Sequence, residues 1–270
     1  SWSSSHPDIV TIENGVVAPK GNGQAVVTVK RGGDTATAKV SVQDFDEDWQ
    51  WSFRNHVLPV ISRNECNTGG CHGAVAGKGG FRLSLFGYDP EGDFRTITQE
   101  MRGRRIEFAD PGRSLLLTKP TTTLKHKGGK RLEVNSADYR VLADWIANGA
   151  ASPRADDAEL VTLEVFPPLS SLKMGDEQHL VVRAKYSDGR EEDVTRWARF
   201  TSADETVADV DHHGKVKIVG HGEGAITVWF SSRLEIARVS APFPNNLVNA
   251  VYAEAPSKNF IDELNLKQLR

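Results

Sequence analysis

The sequence is poor in the residues and motifs from which many functional sites are built. It has two cysteines and two methionines in 270 residues, and it lacks a P-loop, a dinucleotide-binding fingerprint and a Ser nucleophile elbow. Catalysis therefore has little support, and we do not expect an enzyme. No apolar run is long enough to span a bilayer. The length leaves room for about two domains and additional fragments.

The two cysteines lie together in the segment Cys66-Asn-Thr-Gly-Gly-Cys71-His72. A cysteine pair followed directly by histidine is typical of covalently bound haem, because two thiols add to the vinyl groups and the imidazole binds the iron. A disulfide, or a zinc site with a distant fourth ligand, are alternatives that this motif leaves open. The pair His212-His213 is a poor zinc chelator, since neighbouring strand residues point to opposite faces.

The spacing within the motif differs from the usual one, because four residues rather than two separate the cysteines. The loop must bulge if both sulfurs are to reach one porphyrin. We expect Gly69 and Gly70 to allow this, since glycine adopts positive φ at little steric cost. On this interpretation Cys66 and Cys71 anchor one haem c, and His72 is an iron ligand.

Three short helices are predicted around the loop. The first covers residues 52–63, and the second follows Asp110, a capping residue, and Pro111 at the first helical position. The third begins at Ser136 and ends at Gly149. Three helices within about a hundred residues suit a small c-type cytochrome, because the haem supplies part of the core.

A sixth iron ligand would have to come from elsewhere in the same segment. His126 is the preferred candidate, since it lies in a glycine-bearing loop between the later helices. Met101 is the second candidate, although a methionine at helical spacing is more often a core residue. His56 is a further histidine with a possible surface or capping role. The alternative is that His126 is a solvated loop residue.

Basic residues are concentrated between Arg102 and Arg131, where nine Lys or Arg accompany two acids in a chain whose net charge is −3. Such an excess could neutralise haem propionates, dock an acidic redox partner, or simply form a solvated face. Nucleic acid is not expected, because interleaved aromatics are lacking. The candidates for the propionates are Arg104, Arg105, Lys130 and Arg131.

The later part of the chain has the pattern of a β-sandwich. Residues 158–243 alternate apolar and polar positions in short runs, separated by turn signals such as Ser187-Asp-Gly189. We expect about seven short strands. The segment also contains Trp197 and Gly214 in an order that looks like a group 2 bacterial immunoglobulin-like domain, a module more often a spacer or adhesion element than an enzyme.

An internal repeat links the two ends of the sequence. Residues 4–42 parallel residues 202–241, including Gly23-Gln-Ala-Val-Val-Thr-Val29 beside Gly224-Ala-Ile-Thr-Val228. Residues 1–43 therefore correspond only to the second half of such a sandwich, and the first strands are missing. We expect the chain to be a piece of a longer protein, with those strands removed or carried by another chain.

Residues 50–152 resemble the cytochrome c-like domains of large extracytoplasmic planctomycete proteins, on the segments CNTGGCHGAVAGKGGFRLSLFGYDPEGDF, DPGRSLLLTKP, KHKGGKR and DYRVLADWIANGA. Group 2 immunoglobulin-like domains accompany that family. The resemblance implies a multidomain chain with a small all-α c-type cytochrome domain and all-β immunoglobulin-like sandwiches. The expected boundaries are 1–43 for the half sandwich, 44–157 for the cytochrome, 158–243 for the sandwich, and 244–270 for a linker and the start of another domain.

Two functional classes follow from these patterns. The first is electron transfer by one covalent haem c, with a redox partner protein or a downstream domain of the same polypeptide as partner. The alternative is a non-redox surface or adhesion protein whose cysteine pair is a disulfide or zinc site, with a carbohydrate or cell-surface partner. Either places the protein outside the cytoplasm, in the periplasm or at the cell surface. No signal peptide is visible at Ser1, so we expect this segment to lack its leader.

Overall fold

A computed structural model describes residues 1–13, 15–47, 49–244, 251 and 254–269. The chain divides into two compact units, Ser1–Gln50 and Trp51–Arg270. Within the described ranges, no helix combines the length and apolar character needed to cross a membrane. Part of the expected linker at 244–270, including residues 245–250, lies outside the described residues.

The first unit is built of two small antiparallel sheets around a small apolar core. One sheet has the order β1-β4-β5, and the other is the hairpin β2-β3. Val10, Ala25 and Val27 are its buried hydrophobic residues. The strands are β1 (Trp2–Ser4), β2 (Val10–Glu13), β3 (Val16–Pro19), β4 (Gly23–Arg31) and β5 (Asp34–Val42).

The second unit begins with a part rich in short helices, residues 51–157, which we call the helical part. Its α-helices are α1 (Leu58–Arg63), α2 (Pro90–Thr98), α3 (Leu115–Thr118) and α4 (Ala137–Ala147). A π-helical turn, Phe53–Val57, precedes α1, and 3-10 turns lie at Leu85–Gly87, Glu100–Gly103 and Pro111–Arg113.

Capping residues explain where these helices begin. The Ser52 side chain accepts a hydrogen bond from the Asn55 backbone N–H, and the Ser136 side chain accepts one from Tyr139. Pro59 stands in the first turn of α1, where a missing N–H costs nothing. The first and third predicted helices are confirmed. The second is split into the 3-10 turn Pro111–Arg113 and α3, and the Asp110 side chain does not cap it. An additional helix, α2, follows the capping Asp89.

The helical part fills its interior with its own side chains. Phe53, Ile97, Leu117, Trp145 and Ile146 are at most 1% exposed and belong to one hydrophobic cluster. The expectation of a small all-α cytochrome domain whose core is supplied by haem is wrong here. The helices are few and short, and much of the segment between them is irregular backbone packed on this protein core.

The remainder of the second unit is the β part, residues 160–241. The chain forms antiparallel sheets of order β10-β9-β6 and β12-β13-β8, and a four-stranded sheet of order β11-β14-β15-β7. The strands are β6 (Leu160–Phe166), β7 (Leu169–Ser171), β8 (Glu177–His179), β9 (Val181–Tyr186), β10 (Glu191–Asp193), β11 (Arg199–Ser202), β12 (Ala208–Val210), β13 (Lys215–Ile218), β14 (Gly222–Phe230) and β15 (Arg233–Ala241). The all-β part of the expected fold is confirmed, with more and shorter strands than the seven expected.

Alternating residues of the β part form a closed core. Leu163 and Val165 of β6 and Val182 and Ala184 of β9 pack in one cluster with residues of β14 and β15, including Val228. The apolar alternation in the sequence thus marks the inward face of each strand. Beyond the β part, α5 (Phe260–Leu269) is the last element described.

Candidate functional site

The segment Cys66–His72, which we call the cysteine loop, leaves the end of α1 and turns back on itself. The Cys66 backbone N–H donates to Ile61 O at 3.1 Å, and the His72 N–H donates to Cys66 O at 2.9 Å. The N–H groups of Cys71 and Gly73 both donate to Thr68 O, at 2.9 and 3.0 Å. These bonds close the loop and hold its two cysteines near each other.

The glycines that the loop requires are not the expected ones. Neither Gly69 nor Gly70 has a positive φ, and a Cβ added at either position would meet open space. A Cβ at Gly73 would lie 2.1 Å from Asn67 O, and Gly77 has φ +60° with Phe81 O beside it. The positive φ near the cysteines belongs instead to Glu65, at 60°. Close backbone approach, which sequence spacing does not reveal, sets these needs.

The Cys66 side chain packs against the core of the helical part. Burial, followed by the nearby Cys71, raises the pKa of the Cys66 thiol to about 12. The group is therefore a protonated thiol at neutral pH, and a poor nucleophile, since the thiolate is the reactive form. The two sulfurs are unbonded to each other in this structure.

His72 lies against Phe81, with ring centroids 4.5 Å apart. Its Nδ1 is 3.0 Å from Phe81 O, and its own carbonyl accepts from the Leu83 N–H at 2.8 Å. Burial lowers the pKa of His72, and the charge of His126 adds to this effect against the opposing hydrogen bond to Phe81 O. The imidazole is thus neutral at pH 7 and donates from Nδ1 to the backbone.

His126 lies beside His72, so the structure brings these two predicted residues together. Their ring centroids are 6.3 Å apart and their planes are 15° from parallel. Nδ1 of His126 is 2.8 Å from Gly129 O. A Cβ at Gly128 would lie 2.8 Å from the His126 ring, so glycine at this position lets the loop fold over the imidazole. The arrangement is a pair of imidazoles, each oriented by a backbone carbonyl.

Four basic residues were predicted to face haem propionates. Arg105, Lys130 and Arg131 contact other groups of the protein, and Arg104 is exposed. Arg105 is 7% exposed and donates to Thr96 O at 2.6 Å and to Gly80 O at 2.8 Å. Its guanidinium also lies 4.6 Å from the centroid of the Phe81 ring. Burial lowers the pKa of Arg105 while the neighbouring Glu100 opposes this. Arg105 therefore holds the backbone at Gly80 and Thr96 next to Phe81, the residue that His72 contacts.

The other three basic residues stand apart from that cluster. Arg131 pairs with Glu65 at 2.6 Å, and Lys130 pairs with Glu133 at 2.6 Å. Arg104 is exposed. Nearby carboxylates and backbone carbonyls therefore account for the contacts of Arg105, Lys130 and Arg131, and a bound anion is not needed to balance them.

Two other predicted roles are corrected by position. Met101 is 59% exposed with φ +51°, so it is not a core residue. His56 is 2% exposed, and its Nδ1 accepts from the Ser52 N–H at 3.1 Å, which confirms a capping role but not a surface one. His212 and His213 are exposed in the turn between β12 and β13, with ring centroids 4.0 Å apart, so the expectation that they point to opposite faces of a strand is wrong.

Asp93 is a buried residue near the site that sequence reasoning missed. Its carboxylate accepts from the Ser84 N–H at 2.5 Å and from the Ser84 hydroxyl at 2.6 Å, and only 2% of the residue is exposed. Burial raises the pKa of Asp93 to about 6, despite the hydrogen bonds from Ser84 that lower it. Ser84 directly follows Leu83, whose N–H donates to His72 O. The contact with Asp93 therefore helps to fix the segment 81–84 against His72.

The described residues contain no group of three or more His, Cys, Asp or Glu side chains arranged to hold a metal ion. A small cavity of about 10 Å³ lies between α1 and the β part, lined by residues that include Phe86 and Trp197. It is about the size of a single water. The arrangement around the cysteine loop is thus a network of backbone contacts and buried side chains.

Comparisons with known proteins give no family for the chain. No family model matches it, and no curated protein matches it. Solved structures that match include domains of surface-layer protein SbsC. Domains 1–6 align at 13% identity and a TM-score of 0.28 over 92% of this chain and 20% of that one. Domains 4 and 5 align at 13% identity and 0.28, over 90% of this chain and 70% of that one.

The chain spans about a fifth of the length of the first of these structures. TM-scores this low carry no argument about what the chain does. The prediction of a cytochrome c-like domain with a haem- and metal-binding site is nevertheless wrong. No group of three or more metal-ligating side chains is present among the described residues, and the interior of the helical part is filled by protein side chains.

Replacing His126 tests the imidazole pair. In His126→Gln, the side chain can still contact Gly129 O, but the positive charge that disfavours protonation of His72 is removed. We expect the pKa of His72, followed by NMR titration of histidine-labelled protein, to rise. The matched control is His213→Gln, far from this loop in the sequence, which should leave the His72 titration unchanged. A His72 pKa that is the same in all three proteins would contradict the pairing.

Replacing Asp93 tests the buried carboxylate. Its pKa is about 6 in the folded protein, against an ordinary aspartate value of 3.8, so its contribution to stability is full below pH 3.8 and is lost as pH rises through 6. The stability difference between wild type and Asp93→Asn should change by about 1 to 2 kcal/mol between pH 4.5 and 7.5. Urea unfolding measures it, with the exposed Asp144→Asn as control. A pH-independent difference would argue against this assignment.

Proposed function

We propose that the second unit is a structural, non-redox module of an extracytoplasmic surface protein. In this proposal the helical part and the β part act together as one rigid spacer, and the cysteine pair is a disulfide staple. The observation that carries the proposal is the buried interface between the two parts. A spacer must hold its ends in a fixed relation, and such an interface is what gives a multi-part chain that property.

An aromatic and ionic cluster forms the centre of this interface. His56 of the helical part lies between Trp51 and Trp197, with ring centroids 5.2 and 5.6 Å away and both contacts edge-on. Its Nε2 is 3.9 Å from a carboxylate oxygen of Glu192. Burial alone would raise the pKa of Glu192, but the nearby His56 and the charge of Arg190 hold it below its usual value. The cluster thus combines buried aromatic contacts with the charged side chains of Glu192 and Arg190.

Hydrogen bonds and ion pairs surround the cluster. The Asn55 side-chain amide donates to Ala158 O at 2.9 Å, and Asn55 is 6% exposed. Arg63 pairs with Asp138 at 2.6 Å and also donates to His212 O at 3.3 Å. These contacts restrain α1 relative to both α4 and the β part.

Glu65 connects the cysteine loop to the β part. One carboxylate oxygen lies 2.6 Å from Arg131 in the helical part, and the other lies 3.1 Å from Arg199 of β11. Phe86 stacks on Trp229 of β14, with ring centroids 5.1 Å apart. The loop therefore lies at the junction between the helical part and the β part, where a disulfide would make the connection more rigid.

The disulfide in this proposal follows from the position of the two thiols. Cys71 is close enough to Cys66 to contribute to its raised pKa, and the loop that joins them is closed by backbone hydrogen bonds. Such pairs oxidise and persist outside the cytoplasm. Neighbouring domains of the same polypeptide or a cell-surface carbohydrate or protein are the partners that fit a spacer or adhesion module.

The proposal predicts the mass of protein secreted to the periplasm of a host that can also attach haem. Intact mass should be about 2 Da below that of the reduced chain, because disulfide formation removes two hydrogens, and iodoacetamide should not react before reduction. Cys71→Ser is the matched control, since it must leave Cys66 as a thiol. Two free thiols in the secreted protein, or a mass gain from an attached prosthetic group, would contradict the proposal.

A further inference from the structure

The first unit reproduces part of the β part strand by strand. β4 and β5 are nine residues each and pair from Gly23↔Val42 to Arg31↔Asp34. β14 and β15 are also nine residues each and pair from Gly222↔Ala241 to Phe230↔Arg233. The first glycine of each hairpin has nearly the same unusual backbone, with φ +142° and +139°.

The sheet neighbour of the first strand of each hairpin is also equivalent. β1 pairs antiparallel with β4, as β11 pairs with β14. Trp2 in β1 covers Gly15, at 3.7 Å from the position of an added Cβ, and Phe200 in β11 covers Gly214, at 2.8 Å. Both glycines have φ near +80°. The inward face of the first unit can therefore be compared with that of the β part residue by residue.

Equivalent residues differ sharply in exposure. Val216 of β13 is 0% exposed, whereas its counterpart Val17 of β3 is 39% exposed. Ala237 of β15 is 0% exposed, whereas its counterpart Ala38 of β5 is exposed. Val29, Val40 and Val42 are only half-buried, whereas their counterparts Val228, Val239 and Ala241 are 0%, 2% and 1% exposed.

The covering layer of the β part explains the difference. β6 and β9 pair with each other and place Leu163, Val165, Val182 and Ala184 in the same core cluster as the residues of β14 and β15. In the first unit, the described residues contain five strands, and none of them corresponds to β6 or β9. Leaving these apolar residues of the sheet face exposed to water costs free energy, because their apolar surface is not buried.

We infer that the uncovered face of the first unit is the acceptor site for a two-stranded β-ribbon of the same chemistry as β6 and β9, supplied from outside residues 1–270. The ribbon would present alternating Val, Leu and Ala residues to the face. The segment that follows the ribbon leads to the start of β1, because in the β part the chain passes from β9 through β10 (Glu191–Asp193) and the turn Thr195–Trp197 into β11. The occupant is thus joined at the Ser1 end.

The experiment supplies a ribbon whose sequence is already known to cover an equivalent face. A second copy of residues 158–198 is joined directly to Ser1 of the full chain, so that its last residue meets Trp2 as Ala198 meets Phe200. Amide hydrogen exchange is measured in β4 and β5, with β14 and β15 as internal reference. We expect protection in β4 and β5 to rise at least tenfold, with loss of binding of an apolar dye, while the reference strands stay unchanged.

The control is the same extended chain with Val182→Asp and Ala184→Asp in the added copy alone, because both positions are fully buried in the β part. This variant should leave β4 and β5 as they are without the extension. Unchanged exchange in the unmodified extension, or equal protection by both extensions, would overturn the inference. A concentration-dependent dimer of the original chain that protects β5 would also overturn it, since the occupant would then be a second copy.

Discussion

The orientation of the helical part relative to the β part depends on the packing of His56 between Trp51 and Trp197. This contact joins residues that are distant in the sequence, and it removes a histidine from water almost completely, with 2% of its surface exposed. An imidazole in such a position needs polar partners, and the Ser52 N–H and the Glu192 carboxylate provide them. Because Ser52 also caps the first helical turn, one cluster fixes both the start of the helical part and its seat on the β part.

The cysteine loop takes its character from the same constraint. It begins directly after Glu65, whose carboxylate is held between Arg131 and Arg199. The loop is thereby set at a junction where backbone hydrogen bonds consume its polar groups and burial suppresses ionisation of Cys66 and His72. Side chains that would be reactive in an exposed loop become structural ones in this setting.

Much of the local structure could be predicted from sequence, because local signals determine it. The Ser136 cap and the apolar spacing predict α4, and the repeated glycines and alternating valines predict the equivalence of the first unit and the β part. The repeat also indicated which strands of the β part have no counterpart among the described residues of the first unit. These features depend on neighbours within a few residues, or on similarity within the chain itself.

The site was predicted less well, because its properties come from contacts between distant residues. A short Cys-Cys-His motif specifies side-chain types but not their surroundings, and the cytochrome interpretation failed on that difference. Burial of Asp93 against Ser84, and the use of Arg105 to bind backbone carbonyls, have no sequence signature. The need for glycine at Gly73 arises only when Asn67 O folds against it.

The central claim is that the helical part and the β part move as one body. Residual dipolar couplings of the full chain, measured for residues 53–147 and 160–241, test it most directly. The account predicts that one alignment tensor fits both sets, and that Trp197→Ala separates them into two. Two tensors of different orientation or magnitude in the wild-type protein would contradict it.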